Sequence, residues 1–245
     1  LRVKFCQGRV LLALLLSLLA CVRPAAAETA DLALVLAIDA SGSVDEVEYG
    51  LQLKGIAAGF RDAAVRQAIR AGTEGRIAVN LIAWAEHGVP KTETGWHMIE
   101  DDASAERFAG IVETFVRDQN GATGLGEGVA AAVRSITGSG IAATRRVIDV
   151  SGDGRETPAR EYVVLLPQAR AMALAFGIVL NGLAIANAEP DLADYYRGSL
   201  QAGPGSFVIE ARTYADFAEA MRRKLIREIQ YRPEMSSAQP AGHRG

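Results

Sequence analysis

Asp39, Ser41 and Ser43 stand at alternate positions in the stretch Asp39-Ala40-Ser41-Gly42-Ser43. One carboxylate and two hydroxyls on a single short turn form a set of hard oxygen donors. Mg²⁺ seeks oxygen ligands in near-octahedral array and accepts one or two carboxylates alongside neutral oxygens and water. Taken alone, the pentapeptide is also consistent with a polar strand end followed by a helix cap. The elements around it have to separate these two readings.

The residues between Asp31 and Asp39 are all apolar, as in a strand buried on both faces of a parallel sheet. Ser43 and Glu46 have capping-box spacing and predict a helix running to about Ala71, with Val47, Leu51, Phe60, Ala64 and Ala68 on its buried face. Gly50, Gly55 and Gly59 suggest close packing of that helix on the sheet. Strands are expected at 76–85 and 146–150, near 177–185 and 206–210, with an antiparallel edge within 88–99. Helices are expected at 104–117 and 125–137, within 159–175, and at 191–200 and 214–229. This alternation predicts one doubly wound α/β domain, a mostly parallel sheet with helices on both faces. Sites in such folds lie beyond the carboxyl ends of the strands, where strand order reverses. Asp39 and Asp153 both follow strands, and Thr123 sits at a loop-to-helix junction able to reach the same crevice.

Residues 1–27 read as a secretory signal peptide, with Arg2, Lys4 and Arg9 ahead of an apolar run and Ala25-Ala26-Ala27 as a cleavage site. A rival processing event is lipidation of Cys21 in Leu18-Leu19-Ala20-Cys21. Residues 28–232 then form the domain, and 233–245, lacking apolar periodicity, a disordered tail. Export implies a periplasmic or secreted protein, or a lipoprotein anchored through Cys21. Both cysteines, Cys6 and Cys21, fall in the leader, so the domain must hold without disulfides. The leader carries four basic residues (Arg2, Lys4, Arg9, Arg23) and no acidic one, so its loss takes the formal charge from −3 to −7. That acidity, with scattered cations, argues against nucleic acid as a partner. No later run is long and apolar enough for a membrane span.

On these residues the chain resembles the von Willebrand factor type A domains that carry a metal-ion-dependent adhesion site. The likeness covers roughly residues 29–230. Asp39-Ala40-Ser41-Gly42-Ser43 matches the Asp-x-Ser-x-Ser element, Thr123 the threonine element, and Asp153-Gly154 the later aspartate. The departure is local: Ser151-Gly152 precedes Asp153 where such domains often have Thr or Ser directly before the aspartate, which leaves Asp149 as a fallback for that role. The resemblance implies Mg²⁺, or Mn²⁺ or Ca²⁺, at Asp39, Ser41, Ser43, Thr123 and Asp153. It further implies a protein ligand whose carboxylate completes the coordination sphere, near the positive end of the following helix. The chain is also similar, over most of its length, to exported bacterial proteins of this type whose function is undefined.

The expected function is therefore an exported, metal-dependent protein-binding module without catalytic residues. The alternative is a Mg²⁺-dependent hydrolase of phosphate or ester substrates, for which Arg155 and Glu156 are the nearby charged pair. No Gly-x-Ser-x-Gly elbow accompanies these serines. Gly121-x-x-Gly124-x-Gly126 imitates a dinucleotide fingerprint but follows a helical segment, so it reads as a flexible loop around Thr123. His87 and His97 could face each other across the 85–99 hairpin, with Glu86 or Glu93 nearby, to make a transition-metal site, though surface or packing roles are favoured. Arg222-Arg223-Lys224 reads as the solvated face of the last helix.

Overall fold

The computed structural model describes residues 28–159 and 162–231. The expected leader and tail lie outside the described residues. Strand β1 (Thr29–Asp39) is buried along almost its whole length. It pairs in parallel with β2 (Ile77–Trp84) on one side and β5 (Ala142–Gly152) on the other. β6 (Val179–Ile185) and β7 (Val208–Ala211) extend the sheet in parallel. Two short antiparallel strands, β3 (Thr92–Glu93) and β4 (His97–Ile99), finish the edge beyond β2. The sheet has seven strands in the order β3-β2-β1-β5-β6-β7, with β4 also paired to β2.

Among the described residues seven α-helices cover this sheet. Helices α1 (Glu46–Arg61), α2 (Ala63–Arg70), α3 (Asp102–Glu113) and α7 (Phe217–Gln230) pack on one face. Helices α4 (Leu125–Gly138), α5 (Leu166–Ala175) and α6 (Leu192–Tyr195), the last continued by a π-helical turn to Leu200, pack on the other. The alternation of β1 explains the two cores. Leu32, Leu34, Leu36 and Ile38 enter one, while Val35 and Ala37 enter the other. The expected doubly wound α/β architecture, with its antiparallel edge, is the architecture observed.

Local differences have identifiable causes. The first helix is capped by Asp45 rather than Ser43: Asp45 Oδ1 accepts the Glu48 amide (2.8 Å) and Glu48 Oε2 accepts the Asp45 amide (2.9 Å). Ser43 is thereby left for another task. The expected single helix to Ala71 breaks at Asp62, whose extended backbone and side chain cap α2 by accepting the amides of Ala64 and Val65. Val47 is not buried but 71% exposed. Gly55 and Gly59 face α7 rather than the sheet. A Cβ on either would lie 2.6 Å from Phe217 Cδ1 or 2.7 Å from Leu225 Cδ1, so these glycines set the spacing between α1 and α7; Gly50 packs on nothing.

The largest departure is Lys224. It is fully buried, with Nζ 2.8 Å from both Asp149 Oδ1 and Glu228 Oε1. Asn181 donates to the same Glu228 oxygen (2.8 Å) and accepts the Phe207 amide (2.9 Å). Asp149 is therefore a structural residue tying β5 to α7, rather than a second candidate for the role of Asp153.

Candidate metal centre

The chain leaves β1 for β2 on one side and later returns to β5 on the other, so strand order reverses between β1 and β5. Register pairs Ile38 with Ser151 at their carboxyl ends. Asp39 and Asp153 therefore emerge side by side, as the crevice rule requires.

Asp39 is completely buried; its Oδ1 accepts the Ser41 amide at 2.7 Å, and Gln52 Nε2 donates to its backbone carbonyl at 3.0 Å. Its second oxygen, Oδ2, is buried without a hydrogen-bond partner. Ser41 and Ser43 bring their hydroxyls within 3.2 Å of each other. Ser43 donates to Asp153 Oδ1 (2.6 Å), and Tyr214 donates to Asp153 Oδ2 (3.0 Å). Burial pushes the Asp39 carboxyl up to about 7; bonding from Ser41 opposes this, and the neighbouring Asp153 carboxylate adds to it. Burial likewise holds the Tyr214 and Tyr196 hydroxyls in their protonated form, with the two aspartates reinforcing the effect. Gly152 makes the approach possible, since a Cβ there would lie 2.8 Å from Asp39 Oδ2 and 2.8 Å from the Tyr196 hydroxyl.

Four of the five expected residues are thus linked by direct contacts: Asp39, Ser41, Ser43 and Asp153. Thr123 is brought to the same place by its loop. Gly42 donates its amide to Gly121 O (2.7 Å), and Thr123 Oγ1 lies 3.6 Å from where a Cβ on Gly154 would stand. Its hydroxyl makes no hydrogen bond to the other four among the described residues. Thr157 fixes the Thr123 backbone from both sides. Its Oγ1 accepts the Thr123 amide (3.0 Å), and its own amide donates to Thr123 O (3.0 Å).

Several supporting residues carried no local sequence signal. Tyr214 lies 61 residues beyond Asp153 at the entry to α7. Arg117 donates to Ser41 O (2.7 Å) and Ala40 O (3.0 Å), with its guanidinium 5.7 Å from the Tyr49 ring centroid, bracing the loop from behind. Glu86 accepts the Ala122 amide (3.0 Å), and that bond holds its carboxyl below the usual range. Its position just beyond β2 made Glu86 the one support that the strand-end rule could have found.

The other candidates are engaged elsewhere. His87 bonds Thr157 O and His97 bonds Thr94 O, so they do not form a shared site. Arg155 pairs with Glu189 (2.7 Å) and Asp191 (2.5 Å). Glu156 accepts amides at the starts of α4 and α5, from Gly126 and Leu166. Among the described residues no helix is long and apolar enough to cross a membrane, and no group of three or more His, Cys, Asp or Glu is placed to hold a metal. The donor set is two carboxylates with hydroxyls, which suits a hard cation. The orphaned Asp39 oxygen, beside a second carboxylate, fits such an ion.

Sheet order, helical layers and this crevice define a von Willebrand factor type A-like domain. The chain belongs to the family described as Protein of unknown function (DUF1194), matched over residues 29–233. Solved structures with the same fold include the pilus adhesin SpaC from Lactobacillus rhamnosus GG, with TM-score 0.59 and 12% identity over 82% of this chain and 31% of that one. The vWF domain of the type V pili tip protein Mfa5 from Porphyromonas gingivalis aligns with TM-score 0.54 and 14% identity, over 86% of this chain and 99% of that one. Proximal thread matrix protein 1 from the mussel byssus, in a form with a zinc-occupied MIDAS motif, gives TM-score 0.52 and 10% identity over 83% of this chain and 48% of that one. The present chain thus spans about a third of SpaC and half of the byssus protein. At such identities the likeness is one of fold. No curated protein sequence matches the chain.

Proposed function

We propose that this chain is an exported binding module in which a divalent cation, Mg²⁺ first and Mn²⁺ or Ca²⁺ as alternatives, recruits a carboxylate from a protein ligand. One observation carries the reading: the buried Asp39 carboxylate, with one oxygen unpartnered, lies beside Asp153, and among the described residues no side-chain cation pairs with either, whereas Lys224 neutralises the other buried acidic pair. Leaving a buried carboxylate oxygen unsatisfied is costly, and a cation would relieve that cost. Asp39, Ser41, Ser43, Thr123 and Asp153 would hold the ion, whose contribution is an electrophilic docking point for an anion.

Asp39 and Asp153 supply charge; Ser41, Ser43 and Thr123 supply neutral oxygens that leave the ion underneutralised. Tyr214 orients Asp153 from outside the donor set, as outer hydrogen bonds orient metal-ligating carboxylates, and Ser43 within the set donates to its other oxygen. The vWA-type fold shared with a pilus adhesin and a pili tip protein is consistent with docking. The hydrolase alternative draws no support from Arg155 or Glu156, since ion pairs hold one and helix amides engage the other. Residues 1–27 would direct export, with cleavage after Ala27 or lipidation at Cys21.

Calorimetric titration of the exported protein with Mg²⁺, Mn²⁺ and Ca²⁺ tests the site, with Asp39→Ala as control. Saturable binding that the variant loses is expected; equal affinity in both would remove the assignment. Metal-dependent turnover of generic phosphate or ester substrates would instead favour the hydrolase.

A further inference from the structure

A cavity of about 300 Å³ opens at the pole opposite the metal centre. Its origin is a mismatch in strand length. β5 begins at Ala142, but β6 pairs with it only from Val147 onward. The edge of residues 143–146 is left uncovered by β6, and the end of α5, the turn before β7 and the end of α7 close around the gap. The parallel strands meet this cavity at their amino ends, so it shares no residue with the donor set at their carboxyl ends.

The lining is mostly apolar. Val147 and Phe207 are buried at its base, Tyr231 is partly exposed, and Phe176, just past α5, is 52% exposed. The charged residues of the lining are Arg145, Arg146 and Glu228. Glu228 is answered from within the protein, by the Lys224 ammonium and the Asn181 amide, each at 2.8 Å. Because Asp149 draws on the same lysine, the base of the cavity is electronegative. The two arginines, consecutive on a strand, project to opposite faces of β5. Arg145 donates to Ile229 O (3.2 Å) and lies 5.8 Å from the Tyr231 ring centroid. The Arg146 side chain makes no hydrogen bond or ion pair among the described residues.

Small-molecule sites are mostly apolar, with a few polar groups that fix orientation. Here the electronegative base repels an anion and the guanidiniums attract one. An apolar body should therefore point inward and a carboxylate outward, where an arginine binds it through two parallel hydrogen bonds. At a water's share of about 30 Å³, the space suits about ten non-hydrogen atoms. We propose that this cavity binds a small alkyl carboxylic acid, its carboxylate held chiefly by Arg146 and its chain against Val147, Phe176, Phe207 and Tyr231. The proposal does not rest on the docking reading above.

Octanoate is the probe, with octanol and octylamine as matched controls and acetate as the bare anion. Calorimetric titration of the exported protein is done in chelator, so that no cation at the other pole contributes, and amide chemical-shift changes locate the site. Octanoate should bind saturably and about tenfold or more tightly than either control, the gain expected of a charged hydrogen bond. Shifts should centre on Val179, Asn181 and Tyr231, and acetate should not saturate. Arg146→Gln should weaken octanoate about tenfold and leave octanol unchanged, whereas Phe176→Ser should weaken both several-fold. Both side chains are at least partly exposed, so the variants should keep the wild-type thermal midpoint. Absence of saturable binding, equal affinity for octanol or octylamine, shifts centred elsewhere, or full octanoate affinity in Arg146→Gln overturns the proposal. None of these results bears on the cation site, which Asp39→Ala reports separately.

Discussion

Two pairs of buried acidic residues occupy this domain, and they are finished differently. In the core, Asp149 and Glu228 share Lys224, whose ammonium lies 2.8 Å from each. At the ends of β1 and β5, Asp39 and Asp153 are equally shielded, being 0% and 3% exposed. Their partners are uncharged: the Ser41 amide, the Ser43 hydroxyl and the Tyr214 hydroxyl. Both pairs keep buried oxygens without hydrogen-bond partners, Asp149 Oδ2 and Glu228 Oε2 in the first and Asp39 Oδ2 in the second, but only the first has a cation built into the chain beside it. A buried carboxylate needs a counter-charge or a proton. One cluster is a structural tie; the other is the proposed seat for an ion taken from solution.

The sharpest way to break the comparison is to remove the internal cation. Lys224→Met leaves Asp149 and Glu228 facing each other without compensation and should cost about 3–5 kcal/mol in chemical denaturation. Added Mg²⁺ should not restore the loss. A variant of near wild-type stability would mean that Lys224 does not neutralise that pair.

Next comes the external cation. Saturating Mg²⁺, at about a hundred times its dissociation constant, should stabilise the wild-type fold by about 2.7 kcal/mol. Asp39→Ala should lose this gain. A variant that gains as much as wild type would place the ion elsewhere.

A smaller effect is expected at the hydroxyl behind the site. Tyr214→Phe removes the donor to Asp153 Oδ2 and should cost about 1 kcal/mol in the metal-free protein. Cation affinity should fall about tenfold, the low end for such outer contacts. Lost stability with unchanged affinity would make Tyr214 a packing residue alone.

The smallest effect calibrates the others. Arg222 pairs with Asp62 at 2.9 Å near the surface, so Arg222→Ala should lower stability only slightly, and equally with and without Mg²⁺. That pairing holds the Asp62 carboxyl below its usual range. Its contribution is therefore complete above the unfolded carboxyl value and is lost as pH falls through the lowered folded one. Denaturation midpoints of variant and wild type should converge toward acid. A gap that widens there would contradict the assigned sign.

Much of the candidate site was legible along the chain. Asp39, Ser41 and Ser43 share one turn, and their backbone spacing brings them together wherever β1 ends. Asp153 could be read from the rule that sites gather beyond strand ends, whereas Thr123, at a loop-to-helix junction, was named through the resemblance to type A domains. Lys224 was misread because Arg222-Arg223-Lys224 looks like a solvated run. Yet Ala220, Met221, Lys224, Leu225 and Glu228 share the buried face of α7 at helical spacing. The spacing was visible; the buried partner, Asp149 on β5, was not. Val47 was misplaced for a related reason. Periodicity cannot tell which end of an amphipathic helix projects past the sheet.

What the sequence determined by itself is therefore local. Apolar runs set the strands, periodic faces set most helices, and one turn collects three donor oxygens, since each depends on near neighbours in the chain. Tertiary structure alone decided that Tyr214 would meet Asp153, that Glu86 and Arg117 would brace the loops, and that Lys224 would be buried against Asp149. Those contacts join segments tens of residues apart, and their energies depend on burial and on neighbouring charge. Both exist only once the sheet and its two helical layers have closed.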